Sequence, residues 1–230
     1  MNMYGATDIG KVRDTNQDTF YIDNENGWCV VADGMGGHRG GETASCLTVE
    51  IIKENMARGA DLKTAIEEAN LVVYRKSLEK KELLGMGTTV VLLKLTENGA
   101  EIAHVGDSRA YLVMDGVMEQ ITVDHSIVQQ LIDSGTITKE QAKNHPQRNL
   151  ITRAVGTERD IMIDVDKVTL YDGDYILICS DGLSSYVDEK EVAKIINETP
   201  FEDVPQALIK SANQHGGRDN ITAVIVRRNS

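Results

Sequence analysis

Three apolar runs restrict the fold more than anything else in this chain: TTVVLLKL at Thr88–Leu95, YILIC at Tyr175–Cys179 and ITAVIV at Ile221–Val226. A strand with one wet face alternates apolar and polar side chains, and these runs do not alternate. Each must therefore be covered on both faces, by a second sheet on one side and by helices on the other. Thr19–Asp23, Trp28–Ala32, Glu101–Val105, Ala110–Met114, Val117–Val123 and Met162–Leu170 are further strand candidates, the fifth following the turn Asp115-Gly116.

Helical spacing appears in four places. Gly41–Arg58 carries Ala44, Leu47, Ile51 and Ile52 on one side. Asp61 can cap a helix whose stripe is Leu62, Ala65, Ile66, Ala69, Val72 and Val73. Asp188 and Glu191 resemble a capping box, and Phe201, Val204, Leu208 and Ser211 mark a last helix. Two helices thus follow the first strands and two lie between the last two. The packing this implies is α+β: a four-layer α-β-β-α sandwich, two packed antiparallel sheets flanked by helices. The 230 residues fit a single domain, 1–230. Within it, residues 124–155 are polar with only short helical patches (126–133 and 138–143), and they read as a flap subdomain.

The net charge of −12 repels nucleic-acid phosphates and anionic lipid, so no nucleic acid and no membrane partner is expected. Cys29, Cys46 and Cys179 show no CxxC spacing, and the two that lie in apolar runs, Cys29 and Cys179, read as reduced core residues. No run approaches the roughly 18 apolar residues of a membrane span. A cytoplasmic monomer is the expectation.

The chemistry sits where apolar runs meet acids. Asp33 ends WCVVAD and is followed by Gly34; Asp107 follows IAHV-Gly106; Asp181 follows ILICS and precedes Gly182; Asp219 stands just before the last strand. Strand ends at one edge of a sandwich converge, so these segments can share a cleft. Carboxylates without sulfur or imidazole suit Mg²⁺ or Mn²⁺. A single Asp-Gly pair is ordinarily a turn; two of them after core strands, with GDSR and GGRDN, exceed what turns explain. Glycine after the acid would leave room around an ion. Ser108 in GDSR has no histidine placed by sequence to activate it, and Arg109 is expected to pair with a nearby carboxylate. The glycine-rich Gly34–Gly41 lacks the GxxxxGK[ST] pattern of a nucleotide-binding loop.

Seven segments in order, RDTNQD (13–18), VVADGMGGHRGGETAS (30–45), GMGTT (85–89), HVGDSRAY (104–111), ITRAVG (151–156), LICSDGL (177–183) and GGRDNITAVIV (216–226), resemble the metal-dependent Ser/Thr protein phosphatases of type 2C, the PPM family, in its bacterial branch. The resemblance implies hydrolysis of phosphoserine and phosphothreonine in proteins by attack of a metal-bridging hydroxide, opposing a Ser/Thr kinase. It implies two Mn²⁺ or Mg²⁺ ions per chain. Asp33 would bridge them, the Gly34 carbonyl and Asp18 would serve the second, and Asp181 and Asp219 the first. Asp107 with Asp181 would hold a third ion, and Arg13 would grip the substrate phosphate. Many eukaryotic members read DGHGG, whose histidine is a proposed general acid; here that position is Met35, and either His38, three residues later, or a metal-bound water would take that role. A silent, binding-only relative would have lost a metal aspartate, and Asp33, Asp181 and Asp219 are all present.

Overall fold

The computed structural model describes residues 2–36 and 40–228, so His38 lies outside the described residues. Two antiparallel sheets pack face to face. The first joins β2 (Asp18–Asp23), β3 (Trp28–Met35), β5 (Val90–Thr96), β6 (Gly99–Val105) and β9 (Asp164–Thr169) in that order, with β4 (Gly87–Thr88) paired to β3. The second runs β1 (Asn2–Asp8), β11 (Ile221–Arg227), β10 (Tyr175–Cys179), β7 (Arg109–Met114), β8 (Val117–Gln120). Helices α1 (Gly40–Ala57) and α2 (Leu62–Ser77) cover the first sheet. The short α5 (Asp181–Ser184), α6 (Glu189–Glu198) and α7 (Val204–Gln214) cover the second.

The non-alternating runs are explained by this layering. On β10, Leu177 and Cys179 face the helices while Ile176 and Ile178 face the other sheet. On β3, Val30 and Ala32 face α1 and α2 while Cys29 and Val31 enter the middle layer. Both faces are dry, and each fully buried aliphatic side chain contributes about 1.5–3 kcal/mol relative to exposure. Cys29 and Cys179 are free, buried thiols and Cys46 is free and exposed. Burial alone pushes the Cys29 thiol up.

Several boundaries differ from the sequence expectation, each for a visible reason. β1 was not among the expected strands: NMYGATD is poor in β-branched residues, yet it pairs along its full length with β11. The run at Thr88–Leu95 is broken at Thr89, because the Thr88 hydroxyl and the Thr89 N–H both donate to the Asp33 carbonyl (2.8 Å each). Trp28–Ala32 extends to Met35, which places Asp33 within the strand rather than past its end. Asp188 does cap α6, accepting from the Lys190 N–H, but no box forms: Glu191 is taken by the Ser211 hydroxyl of α7 at 2.6 Å. A capping box forms instead at Thr138 and Gln141, which opens α4 (Lys139–Lys143).

Residues 124–155 hold α3 (Ile127–Asp133) and α4 and return to their starting point. The Thr152 N–H donates to the His125 carbonyl at 2.7 Å, and Val155 and Thr88 exchange backbone bonds. Among the described residues no helix is long and apolar enough to cross a membrane.

Candidate metal centre

Alternation along the strands decides what reaches the open edge of the middle layer. Cys29 and Val31 share a face with Asp33, and the partly buried Phe20 and Ile22 share one with Asp18. β2 and β3 pair so that Asp18 and Asp33 are direct register partners, which puts the two carboxylates side by side. From the second sheet, the row Ile176–Ile178 ends in Ser180 and the row Val226–Val224 ends in Thr222. Asp181 opens α5 immediately after β10, Asp219 precedes β11, and Asp107 lies where the chain crosses from β6 in one sheet to β7 in the other. The sequence treated Glu101–Met114 as two strands bracketing a turn; that turn bridges the two sheets and carries an acid at the crossing.

Asp33, Asp107, Asp181 and Asp219 line one cleft of about 670 Å³, together with Arg13, Gly34, Met35, Thr89, Arg218 and, from the segment 124–155, Asn149 and Ile151. Asp18 lies beneath it, 7% exposed. Its Oδ2 accepts from the hydroxyls of Ser180 and Thr222 at 2.7 Å each, and its buried Oδ1 has no hydrogen-bond partner. At the mouth, the Arg13 Nη2 donates to Asp219 Oδ2 at 2.8 Å, with the arginine side chain 53% exposed. That bond raises the Arg13 pKa further above its ordinary value.

Crowded acids in a cleft oppose one another. Burial first, and then the charges of Asp18, Asp181 and Asp107, holds Asp33 well above the usual carboxylate range. Asp181 is held there by burial and then by Asp107 and Asp219. Burial pushes Asp18 up to about 6 against the pull of its two hydroxyl donors. Asp107 also rises to about 6, from burial and the charge of Asp124, with Arg109 opposing. A group of oxygens under this strain, one of them an orphaned buried acceptor, is what a hard divalent cation relieves. The residues fit the ions that the sequence implied.

A Cβ on Gly34 would overlap the Gly41 carbonyl and come within 2.7 Å of the Gln17 carbonyl; a Cβ on Gly182 would overlap the Asn220 carbonyl. Both glycines are required by backbone packed against them, which holds the neighbouring acids in place. Arg109 pairs as expected: Nε and Nη2 grip Asp124 at 2.7–3.1 Å, and Nη1 donates to the Tyr111 hydroxyl. Ser108 is buried against the Thr89 hydroxyl at 2.7 Å, which removes it as a nucleophile.

A second polar cluster was not singled out from sequence. His104 and His125 stack with ring centroids 4.9 Å apart, and with Asp164 they bring three ligand-type atoms within 4.8 Å. Its hydrogen bonds leave little for a metal. The Gly106 N–H donates to His125 Nδ1 and occupies its lone pair, while Nε2 lies 3.3 Å from Asp164 Oδ2 and 3.1 Å from Arg153 Nη1. Arg153 Nη1 donates to Asp164 Oδ1 at 2.9 Å, so a cation is already present. The cluster ties the start and end of the segment 124–155 to the Gly106 turn and to Asp164, and burial keeps the His125 pKa low.

A family model described as Protein phosphatase 2C matches residues 11–225. The chain belongs to the protein phosphatase 2C family. It is 38% identical over 239 residues to the serine/threonine phosphatase stp of Listeria innocua, covering 97% of this chain and 94% of that protein. The S. agalactiae serine/threonine phosphatase structure superposes with a TM-score of 0.91 at 35% identity, covering 99% of each chain. The catalytic domain of the phosphatase PstP, solved in complex with two manganese ions, gives a TM-score of 0.86 at 32% identity over 97% of this chain and 96% of that one. The α+β sandwich of these relatives is the fold found here.

Proposed function

We propose that the chain hydrolyses phosphoserine and phosphothreonine in proteins, using Mn²⁺ or Mg²⁺ held by the aspartates of the cleft. Asp33 would hold the principal ions, with the Gly34 carbonyl and Asp18 serving one and Asp181 and Asp219 the other. Asp107 and Asp181 are assigned to a third. When bound, such ions acidify coordinated water and draw charge from phosphoryl oxygens. The observation that carries the reading is the convergence of five aspartates from both sheets on one cleft with a guanidinium at its mouth.

The chain's own groups supply the rest. Arg13 has donors left over beside its bond to Asp219, and it stands where an incoming phosphate dianion first meets the cleft. Asp18 Oδ1, buried and unpartnered, is an acceptor for a water proton. Met35 lines the cleft and carries no titratable proton, so His38 is assigned from sequence alone as the proton donor to the leaving oxygen. We read residues 124–155 as a flap over the site within a single domain, a reading supported by Asn149 and Ile151 at the cleft. The partners that follow are phosphorylated proteins and, opposing the enzyme, a Ser/Thr kinase. Acidic charge and free thiols favour the cytoplasm and a monomer.

The test is manganese-dependent hydrolysis of p-nitrophenyl phosphate and of a phosphothreonine peptide by wild type, Asp33→Asn and Asp219→Ala. Activity that needs added Mn²⁺ and falls at least about 100-fold in both variants is expected. Turnover that ignores Mn²⁺, or survives Asp219→Ala, sinks the assignment.

A further inference from the structure

Asp18 Oδ2 is served by a directed chain of hydrogen bonds. Thr222 Oγ1 has one proton, and it goes to Asp18 Oδ2 at 2.7 Å. In the pair Thr7 Oγ1 and Thr222 Oγ1, 2.8 Å apart, Thr7 is therefore the donor, and Thr7 in turn accepts from Asn16 Nδ2 at 2.9 Å. Ser180 Oγ gives its proton to the same Asp18 oxygen at 2.7 Å while accepting from the Thr222 N–H at 3.0 Å. Every proton in the chain points at Oδ2, and none reaches Oδ1. Both donors come from the opposite sheet: Ser180 and Thr222 are fully buried at the ends of middle-layer rows.

A carboxylate torsion is soft and presents either oxygen unless something fixes it. Two hydroxyl donors on one oxygen fix it here, and the register with Asp33 sets the direction in which the free oxygen looks. We infer that Ser180 and Thr222 are positioning residues of the metal centre, committing Asp18 Oδ2 to the protein so that Oδ1 is the oxygen offered to the ion or its water. The inference rests on the metal-centre reading above. The competing account is a plain pin between sheets, in which the hydroxyls matter to stability and not to ion binding.

The two accounts separate on Mn²⁺ affinity measured without substrate. Chelator-stripped wild type, Thr222→Val, Thr222→Ser, Ser180→Ala and Asp219→Ala are titrated with Mn²⁺ by calorimetry or by paramagnetic resonance of the free ion, and the Tm of each stripped protein is recorded. Loss of an outer partner of a metal ligand costs about 10–100-fold in metal affinity, so Thr222→Val is expected to weaken binding about tenfold or more. Thr222→Ser, which keeps the hydroxyl and loses the methyl, is expected within about threefold of wild type. Thr222→Val binding Mn²⁺ as wild type does, whatever its Tm, overturns the inference. So does Thr222→Ser failing as badly as Thr222→Val, because packing rather than the proton would then be at work. Should Thr222→Val not fold, Ser180→Ala carries the same test, and unchanged affinity there is equally fatal. A wild type that binds no Mn²⁺, or an Asp219→Ala that binds it undiminished, removes the metal-centre reading itself.

Discussion

Arg109 offers a stability test whose size follows from its surroundings. Its fork grips Asp124 with three contacts of 2.7–3.1 Å, and the two side chains are 27% and 8% exposed. Replacing it by methionine keeps much of the stem volume and removes the charge. Asp124 would then remain nearly buried with the Gln120 Nε2 at 2.9 Å as a donor, and the Tyr111 hydroxyl would lose its Arg109 partner. Removing one member of a buried pair costs about 3–5 kcal/mol, and the partial exposure of the arginine sets the lower end, about 3 kcal/mol. In a chain of this size that is about 6–12 °C of Tm. Most of the loss is the stranded carboxylate, so Arg109→Met with Asp124→Asn should regain at least about half of it. Urea unfolding in chelator, for both single variants and the double, measures the cycle. An Arg109→Met loss under about 1 kcal/mol, or a double variant no better than Arg109→Met, refutes the reasoning. Arg109 also opposes the rise in the Asp107 pKa, so the surviving folded variant should need a higher pH for the same Mn²⁺ response.

Gly182→Ala drives a methyl into the Asn220 carbonyl; a loss of about 2–3 kcal/mol in urea unfolding is expected, with weaker Mn²⁺ binding because Asp181 must shift. Arg13→Ala removes an exposed pair, so Tm should hardly move while kcat/KM for a phosphopeptide falls about 10–100-fold, mostly through KM. Asp18 and Asp107 sit at about 6 against an ordinary 3.8, so between these values the native state binds more protons than the unfolded one. Metal-free stability should therefore fall as pH rises through that window, and Mn²⁺ affinity should rise through pH 6; Tm in chelator at pH 5 and 8, with parallel Mn²⁺ titrations, checks both signs. Because Thr152 N–H already meets the His125 carbonyl, residues 126–151 can be excised and the ends joined by glycine; Mn²⁺ affinity should persist while turnover of a folded phosphoprotein drops.

The layers were legible in the sequence because TTVVLLKL, YILIC and ITAVIV have no polar face, and a strand dry on both sides has few other ways to be housed. The acids were legible because each interrupts or borders such a run. What sequence could not carry was register. Nothing in RDTNQD or WCVVAD says that Asp18 lies directly opposite Asp33; pairing across a turn of irregular length decides it. β1 was hidden because its pairing with β11, not its own residues, makes it a strand. The glycines after Asp33 and Asp181 were marked for room around an ion; the close approach of backbone, from Gly41 and Gln17 to the one and from Asn220 to the other, needed the fold. The histidine pair was hidden for the same reason: only the folded turn brings His104 beneath His125. His38 lies outside the described residues, so its role stands on sequence.

The middle layer has a consequence for how such a protein can change. Asp18 and Asp33 hang from one sheet, Asp181 and Asp219 flank strands of the other, and Asp107 sits on the crossing between them. The gap between the sheets is thus the jaw width of the ion site, like the opening of a caliper. The outer helices can be rebuilt, shortened or charged differently without touching that width. A change of volume at Ile176, Ile178, Val224 or Val31 cannot, because those side chains are the spacers that set it. Substitutions on the outer surface can therefore alter what this chain meets in solution, while the inner spacers stay tied to the chemistry.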